Sequence, residues 1–395
     1  MSKLSFEIQF RSANDLSTSI PVEVRRPNLT LAATTLASDI IELEPGQYYV
    51  TARLPAGQEL FDYVEVMEGR ENKAVLESDP EQESPHEWQA SQHYLVAQRQ
   101  RSVRGLESSL ESLGGESVEA KLRSIAGNVL NEDYVITEPT KWEFSYSDEL
   151  AESTIHGTNK IQFVQLCQTN APALNMALPA YSDLSCKLVV TRQPDGLFSF
   201  DAHLWKSMVD MLLRFSNKGY QEQASLTSKA LDAELMLYDK GTDPIAAAVG
   251  AYAILRFNML ESLHEWTENL RNRFQWLPDG AAIRGEHLTR RGKHKEALAA
   301  FLELSKRGLP LFSDGLTYAV DRLRLYTNLK ETFTEEGQLD QARTLLQRLQ
   351  RFADCADFRE PFTTFTGLIP HEPDSNPLEE VVTIDNGLDL AQIFK

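Results

Sequence analysis

The chain has 395 residues, and its 58 Asp and Glu residues outnumber its 39 Lys and Arg residues, giving a formal net charge of −19. A chain this acidic repels phosphate backbones, so the composition argues against nucleic-acid binding. Three cysteines argue against a disulfide-stapled scaffold, and no apolar run approaches the ~18 residues that can span a bilayer. The first residues also lack the apolar core of a signal peptide. The composition therefore predicts a cytoplasmic protein of several domains that does not enter a membrane.

Residues 1–78 have the pattern of a small antiparallel β-sandwich. LSFEIQF at residues 4–10 alternates apolar and polar side chains. Residues 40–76 continue with β-rich runs separated by the turn signals Pro45-Gly46 and Pro55-Ala56-Gly57. The string L-x-P-G-x-Y-x-V-x-x-x-L-P-x-G, which begins at Leu43, resembles the regulatory-like β-sandwich modules that accompany carboxypeptidases. The resemblance implies a folding module, although the same alternation recurs in unrelated sandwiches.

Residues 79–134 are predicted to be a linker followed by weak helices. The stretch at residues 78–90 is polar and rich in Pro and Glu, as linkers are. Residues 93–133 have a helix-like pattern that breaks at Gly114-Gly115. Arg99, Arg101 and Arg104 form a short basic run, which we interpret as a solvated helix face, with contact to a partner as the alternative.

Residues 135–204 are predicted to be a separate α+β or β module. Candidate strands lie at residues 141–146, 160–167 and 174–178. Residues 187–204 predict a β-hairpin, because the turn residues Gln193-Pro194-Asp195-Gly196 separate two strand-like runs.

From residue 205 to residue 356 the hydrophobic period changes to that of a helix. Met208, Met211, Leu212 and Phe215 follow the spacing i, i+3, i+4, i+7, which places them on one apolar face. Breaks at Gly, Asn and Pro residues, the last at Glu336-Gly337, divide the segment into eight predicted helices in four hairpins. The predicted fold is therefore a multidomain α and β protein, with an N-terminal antiparallel β-sandwich, a middle α+β domain and a C-terminal array of α-helical hairpins.

Part of the helical segment resembles a tetratricopeptide repeat. In residues 284–310, Gly285 and Ala297 match the two positions where the repeat has a small residue, and Gly292 matches the turn between its helices. Phe301 matches the position where the repeat has a large apolar residue. Residues 335–349 repeat this register moderately well. The turn residues 219, 258, 292 and 337 are 39, 34 and 45 residues apart, and only the middle spacing matches the repeat length of about 34. The resemblance implies stacked helix pairs with a concave surface that binds a peptide or protein. An unrelated helical bundle is the alternative.

A cationic cluster lies within the best repeat. Residues 284–295 contain five Lys or Arg residues and one Glu. Such a cluster suits an acidic peptide or a terminal carboxylate, and a solvated turn is the competing interpretation. The candidate partner-binding residues are Arg284, Arg290, Arg291 and Lys295, with Trp266 and Trp276 as apolar anchors.

The last segment, residues 357–395, is predicted to be an acidic tail. A free tail is the usual state of a terminus, while a linear motif and an intramolecular plug are the alternatives. We find no motif for a catalytic site, a metal or a cofactor. His287 and His294 are interpreted as surface histidines. Cys167 lies in an apolar run and has no neighbouring sequence that would activate a thiolate.

The sequence therefore predicts a non-enzymatic scaffold that binds another protein or an acidic peptide segment. A second hypothesis is a regulatory partner, inhibitor or proteolytic substrate of an enzyme in a bacterial multi-protein system, for example a defence system. Cleavage would then fall in residues 78–87 or 107–117. A third hypothesis is an enzyme whose site lies within residues 135–204.

Overall fold

A computed structural model describes residues 2–9, 20–27, 30–53, 59–70, 72–77, 119–139, 142–146, 150–169, 171–193, 196–217, 233–328, 336–373, 375 and 387–394. Several predicted features lie outside these ranges, among them the basic run at Arg99, the break at Gly114-Gly115, the two predicted cleavage segments and the turn at residue 219. The chain divides into two compact units. One contains Met1–Leu106 and Lys206–Asp232, and the other contains Glu107–Trp205 and Ala233–Lys395.

The first unit contains a β-sandwich, as the alternation predicts. Its strands are β1 (Ser2–Gln9), β2 (Pro21–Arg25), β3 (Leu31–Leu36), β4 (Ile41–Leu43), β5 (Gly46–Arg53), β6 (Glu59–Val66) and β7 (Asn72–Glu77). One sheet has the order β4-β1-β7 and the other β3-β2-β5-β6. Alternate residues such as Leu4, Val22 and Val50 fill the core between them. The pairing is antiparallel except between β1 and β7, which are parallel. The unit also includes helix α1 (Ser207–Asn217).

The second unit begins with two sheets. Their strands are β8 (Ala120–Asn128), β9 (Asp133–Thr137), β10 (Phe144–Tyr146), β11 (Leu150–Ile155), β12 (Gln162–Gln168), β13 (Leu174–Leu178), β14 (Cys186–Arg192), β15 (Phe198–Leu204), β16 (Thr364–Thr366) and β17 (Leu388–Asp389). One sheet has the order β10-β11-β14-β15, and the other has the order β16-β13-β12-β8-β17, with β9 also paired to β8. The predicted hairpin is confirmed, since β14 pairs with β15 from Cys186 opposite Leu204 to Arg192 opposite Phe198.

The helical interpretation of residues 93–133 is wrong for residues 120–128, and a short 3-10 helix follows at Val129–Asn131. Residues 120–128 form β8, which pairs with β12 along one edge. Leu122 and Ile125 are fully buried in this sheet. The helix-like spacing was misleading because pairing with neighbouring strands outweighs weak local propensity.

The helices of the second unit continue the chain. They are α2 (Ala233–Tyr238), α3 (Pro244–Arg256), α4 (Trp266–Arg273), α5 (Pro278–Arg290), α6 (His294–Leu302), α7 (Leu304–Arg307), α8 (Ser313–Asn328), α9 (Glu336–Asp354) and α10 (Leu390–Ile393). With α1, the described part of residues 205–356 contains nine α-helices, where eight were predicted. The predicted break at Glu336-Gly337 is wrong, because both residues lie in the first turn of α9.

Three of these helices begin at regular intervals. Helices α3, α5 and α8 start at residues 244, 278 and 313, which are 34 and 35 residues apart. Pro244 and Pro278 occupy the first turns of their helices, where a missing N–H costs nothing. Helix α5 packs against α3, α4, α6 and α8. The interval is close to that of a helical-hairpin repeat.

The concave surface implied by the repeat resemblance is closed at these helices. Residues 244–255 of α3 and residues 278–289 of α5 are all buried. Tyr252 on α3 lies with its ring centroid 6.2 Å from that of Tyr318 on α8. Arg256 at the end of α3 also pairs with Asp314 on α8. Side chains of α3 and α8 therefore contact each other, and in the described part of the chain residues 278–289 of α5 present no exposed face.

The prediction of a free C-terminal tail is wrong for the residues that the structure describes. Strand β16 pairs with β13, while β17 pairs with β8 through Leu388 opposite Leu122. Asn175 and Gln165, both buried, donate to the carbonyl oxygen of Gly367 at 2.8 and 3.2 Å. These contacts tie residues beyond 357 to the sheet. Among the described residues, no helix has both the length and the apolar character needed to cross a membrane.

Replacing Gly285 by Ala tests the close approach of α5 and α6. An added Cβ would lie 2.6 Å from the ring of Phe301, which is fully buried. We expect a loss of about 1–3 kcal/mol in the free energy of unfolding, measured by urea denaturation. Gly337→Ala is the matched control, because no atom lies within 4 Å of its added Cβ, and we expect it to be neutral or slightly stabilising. Equal effects of the two substitutions would contradict the packing.

Candidate partner-binding site

The structure divides the six predicted residues among different surroundings. Arg284 and Arg291 lie near the segment that leads into α4, where Trp266 is the first residue. Arg290 points toward the interior of the helical layer, where it meets Glu286. Lys295 is exposed on α6, and Trp276 contacts a β-strand region of the same unit. The residues therefore do not form one cationic patch.

A partly exposed aromatic cluster surrounds Trp266, whose own side chain is half-buried. The Tyr238 ring lies 5.3 Å from the Trp266 ring in an edge-on arrangement, and the His264 ring lies 4.5 Å from it. Tyr238 is 62% exposed, and Leu235, one turn earlier on α2, is 54% exposed. We call Leu235, Tyr238, His264 and Trp266 the Trp266 face. Large apolar groups exposed side by side are typical of surfaces that bind a protein.

The backbone of His264, within this face, has a strained conformation. Its φ is +43°, a region that residues other than glycine rarely adopt. Its Nε2 lies 2.8 Å from Glu234 Oε1 on α2, so the side chain joins α2 to the start of α4. The hydrogen bond from His264 lowers the pKa of Glu234. Strain at an exposed position is a feature of functional sites, because the surrounding structure must maintain it.

A polar network lies beneath the face. Arg284 donates to Glu268 at 2.6 Å and to Glu265 at 3.3 Å, and it also reaches Thr267 Oγ1. Thr267 Oγ1 is in turn 2.9 Å from His287 Nδ1. Burial, with the nearby charge of Arg284 and Arg291, lowers the pKa of His287 to about 4. His287 is therefore a buried neutral residue, and its assignment as a surface histidine is wrong.

Arg290 belongs to a second network that joins the repeated helices. Glu286 is fully buried and accepts hydrogen bonds from Arg290 at 2.6 Å and from Arg322 at 2.7 Å. Arg290 also donates to the carbonyl oxygen of Leu255 at 2.6 Å. These contacts connect α5 to α3 and α8. Arg290 therefore serves the packing of the helices, in agreement with the rule that buried charges are paired.

Trp276 packs inside its own unit. Its ring stacks on that of Tyr181 with a centroid distance of 3.7 Å and an interplanar angle of 1°. This contact joins the turn before α5 to the β-strands, and it covers one face of the Trp276 ring. Both predicted aromatic anchors are half-buried, and Trp266 is the one that lies beside an exposed aromatic residue, Tyr238.

Sequence reasoning missed Leu235, Tyr238 and His264. The AELMLY sequence of α2 is apolar on several sides, so its periodicity gives no means of separating exposed from buried residues. The one usable signal was the adjacency of His264 to Trp266. An exposed position for Tyr238 depends on where α2 ends relative to α4, which is a tertiary property.

The described residues offer little support for catalytic chemistry. Within them, no group of three or more His, Cys, Asp or Glu residues is placed to hold a metal ion. Burial raises the pKa of Cys167 to about 11, which keeps the thiol protonated. Burial also raises the pKa of Asp279 to about 6, but this carboxyl is engaged by Tyr252 and by the backbone N–H groups of Leu311 and Phe312.

One comparison with known proteins gives a match. Residues 211–384 match the Y4kD C-terminal domain. This segment is less than half of the chain and contains helices α2 to α9, the Trp266 face and both polar networks. No curated protein and no solved structure matches the chain. The matching description names a domain without an activity.

The buried His287 predicts acid sensitivity. Its pKa is about 4 in the folded chain and 6.5 when unfolded, so the unfolded state binds the proton more readily. Its contribution to stability is present above pH 6.5 and is lost as the pH falls toward 4. Asp279, with its raised pKa, acts in the opposite direction over part of this range.

The difference in the free energy of unfolding between wild type and His287→Asn isolates the contribution of His287. We expect the free energy of unfolding of the wild type to decline between pH 6.5 and pH 4 relative to that of His287→Asn, as measured by urea denaturation. His156→Asn, which changes an exposed histidine outside both polar networks, is the control. Parallel curves for wild type and His287→Asn would contradict the assignment of a buried neutral imidazole.

Proposed function

We propose that this chain is a non-enzymatic interaction protein that binds another protein through the Trp266 face. The observation that supports this proposal is that Tyr238, which is 62% exposed, packs edge-on against the half-buried ring of Trp266 at a centroid distance of 5.3 Å. Aromatic side chains dominate the energy of protein interfaces, because they bury a large area at a small cost in conformational entropy.

The face is already organised without a partner. Its two aromatic residues are on separate helices, α2 and α4, which contact each other. The bond between His264 and Glu234 fixes the segment between these helices. A preformed surface loses less entropy on binding than a flexible one, which favours affinity.

The helical repeat supports the same class of function. The starts of α3, α5 and α8 are 34 and 35 residues apart, and Gly285 allows the close approach of Phe301 as in a tetratricopeptide-like hairpin. Such arrays bind proteins more often than they catalyse reactions. Because α5 is enclosed, the proposed face lies at the α2 and α4 end of the array. The cysteines Cys167, Cys186 and Cys355 form no disulfide, which fits the reducing cytoplasm as the proposed location.

Affinity purification from the native cell, with the chain tagged at its N-terminus, tests the proposal. We expect Tyr238→Ala and Trp266→Ala each to lower recovery of the partner at least about tenfold, since truncating a central aromatic anchor costs about 2 kcal/mol or more. Trp205→Ala is the matched control, because Trp205 is 61% exposed and lies outside the face. Thermal melts establish that the variants are folded. Equal recovery by all variants would contradict the proposed site.

A further inference from the structure

Carboxylates are the outermost charged groups near the Trp266 face. The side chain of Glu261 is 95% exposed, and that of Glu265 is 77% exposed. Both precede Trp266 in the segment that leads into α4. Glu234 and Glu268 are less exposed than these two residues, each with 42% of its side chain exposed. A partner that approaches Tyr238 and Trp266 therefore meets negative charge first.

The neighbouring positive charges lie mostly inside the protein. The Arg284 side chain is only 9% exposed and is held between Glu265 and Glu268. The ammonium group of Lys240 donates to the carbonyl oxygens of Leu237 and Tyr238. Arg291 is partly exposed but pairs with Glu261 at 3.2 Å. Arg273, in the last turn of α4, is exposed, and its charge is near enough to Lys240 to contribute, after burial, to the lowered pKa of that ammonium group.

The Trp266 ring already carries a cation on one side. Lys240 Nζ lies 5.8 Å from the centre of this ring. A tryptophan face attracts ammonium and guanidinium groups through its quadrupole, and arginine is the more frequent partner. Tyr238 supplies a second aromatic ring next to it. The chemistry of the face, aromatic rings bordered by exposed carboxylates, is that of a receptor for Lys or Arg side chains.

We propose that the occupant of the Trp266 face is a basic segment of a partner protein, with Arg or Lys side chains that lie on the aromatic rings and pair with Glu261 and Glu265. This inference rests on the proposed function, and it specifies the chemistry of the partner. It replaces the acidic peptide expected from the sequence, because Arg284 and Arg291 are 9% and 38% exposed, whereas the carboxylates that they pair with, Glu265 and Glu261, keep 77% and 95% of their side-chain surface exposed. Charge complementarity between this face and the segment determines both orientation and association rate.

Peptide binding to the full chain tests the charge of the partner. The probes are two fluorescein-labelled peptides, RGSRGSRGSR and EGSEGSEGSE, and the readout is fluorescence anisotropy at several salt concentrations. We expect the arginine peptide to bind the wild type and the glutamate peptide not to bind. The double variant Glu261→Lys and Glu265→Lys should weaken binding of the arginine peptide at least about tenfold. The milder Glu261→Gln and Glu265→Gln pair covers the case in which charge reversal prevents folding.

A matched control separates this face from the general negative charge of the chain. Glu42→Lys with Glu44→Lys changes two exposed glutamates of the first unit and produces the same change in net charge. We expect this variant to retain binding of the arginine peptide. Equal losses in the two double variants, or preferential binding of the glutamate peptide, would overturn the proposal.

The two proposals fail in different ways. If Tyr238→Ala abolishes recovery of the native partner while the arginine peptide does not bind, the interaction site stands and the basic partner is wrong. If the arginine peptide binds and responds only to Glu261 and Glu265, while Tyr238→Ala leaves recovery of the native partner unchanged, the face recognises cations but is not the site of the proposed interaction.

Discussion

A helix that is buried along its length must provide partners for every polar side chain it carries, and α5 is such a helix. It has Asp279, Arg284, Glu286, His287 and Thr289 within a stretch that is wholly buried. Each of these residues meets a polar group of another helix or of the segments beside them. The cost of leaving a buried charge unpaired is several kcal/mol, so these pairs restrict how the neighbouring helices can pack.

The pairing of buried charges also determines which charged side chains remain exposed at the surface. Arg284 and Arg290 neutralise carboxylates in or near the interior, so most of their charge is unavailable for a ligand. Glu261 and Glu265, which precede α4, extend outward instead. A segment that looks cationic in the sequence therefore lies next to a surface that is aromatic and negatively charged. The position of each charge in the fold matters more than the local sum of charges.

The sequence was informative where local physics decides the structure. Alternation predicted the first sandwich through residues such as Leu4 and Val22, and the Pro-Asp-Gly turn predicted the hairpin of β14 and β15. Gly285 and Phe301 correctly indicated a close helix contact, because only a missing side chain permits that approach. Local pattern failed for β8, whose state depends on pairing with β12, a strand more than 30 residues away in sequence.

The candidate site was predictable only in part for the same reason. Trp266 could be singled out because tryptophan is rare and often serves as an anchor. The exposure of Tyr238 and the inward direction of the Arg290 side chain depend on how α2, α5 and α8 pack against their neighbours. No pattern in a single sequence specifies this packing. The predicted turn residues are irregularly spaced, whereas the first residues of α3, α5 and α8 are 34 and 35 residues apart. The repeat is therefore visible in the helix starts and not in the turn residues.

The return of the chain to β8 has a consequence for solubility. Strand β9 covers one half of the free edge of β8, and Leu388 and Asp389 cover part of the other half. Backbone N–H and C=O groups left open at a strand edge can be extended by a strand of another molecule. The strand Leu388–Asp389 therefore occupies the edge of β8 at Lys121 and Leu122, and losing it would open these two positions to pairing between copies.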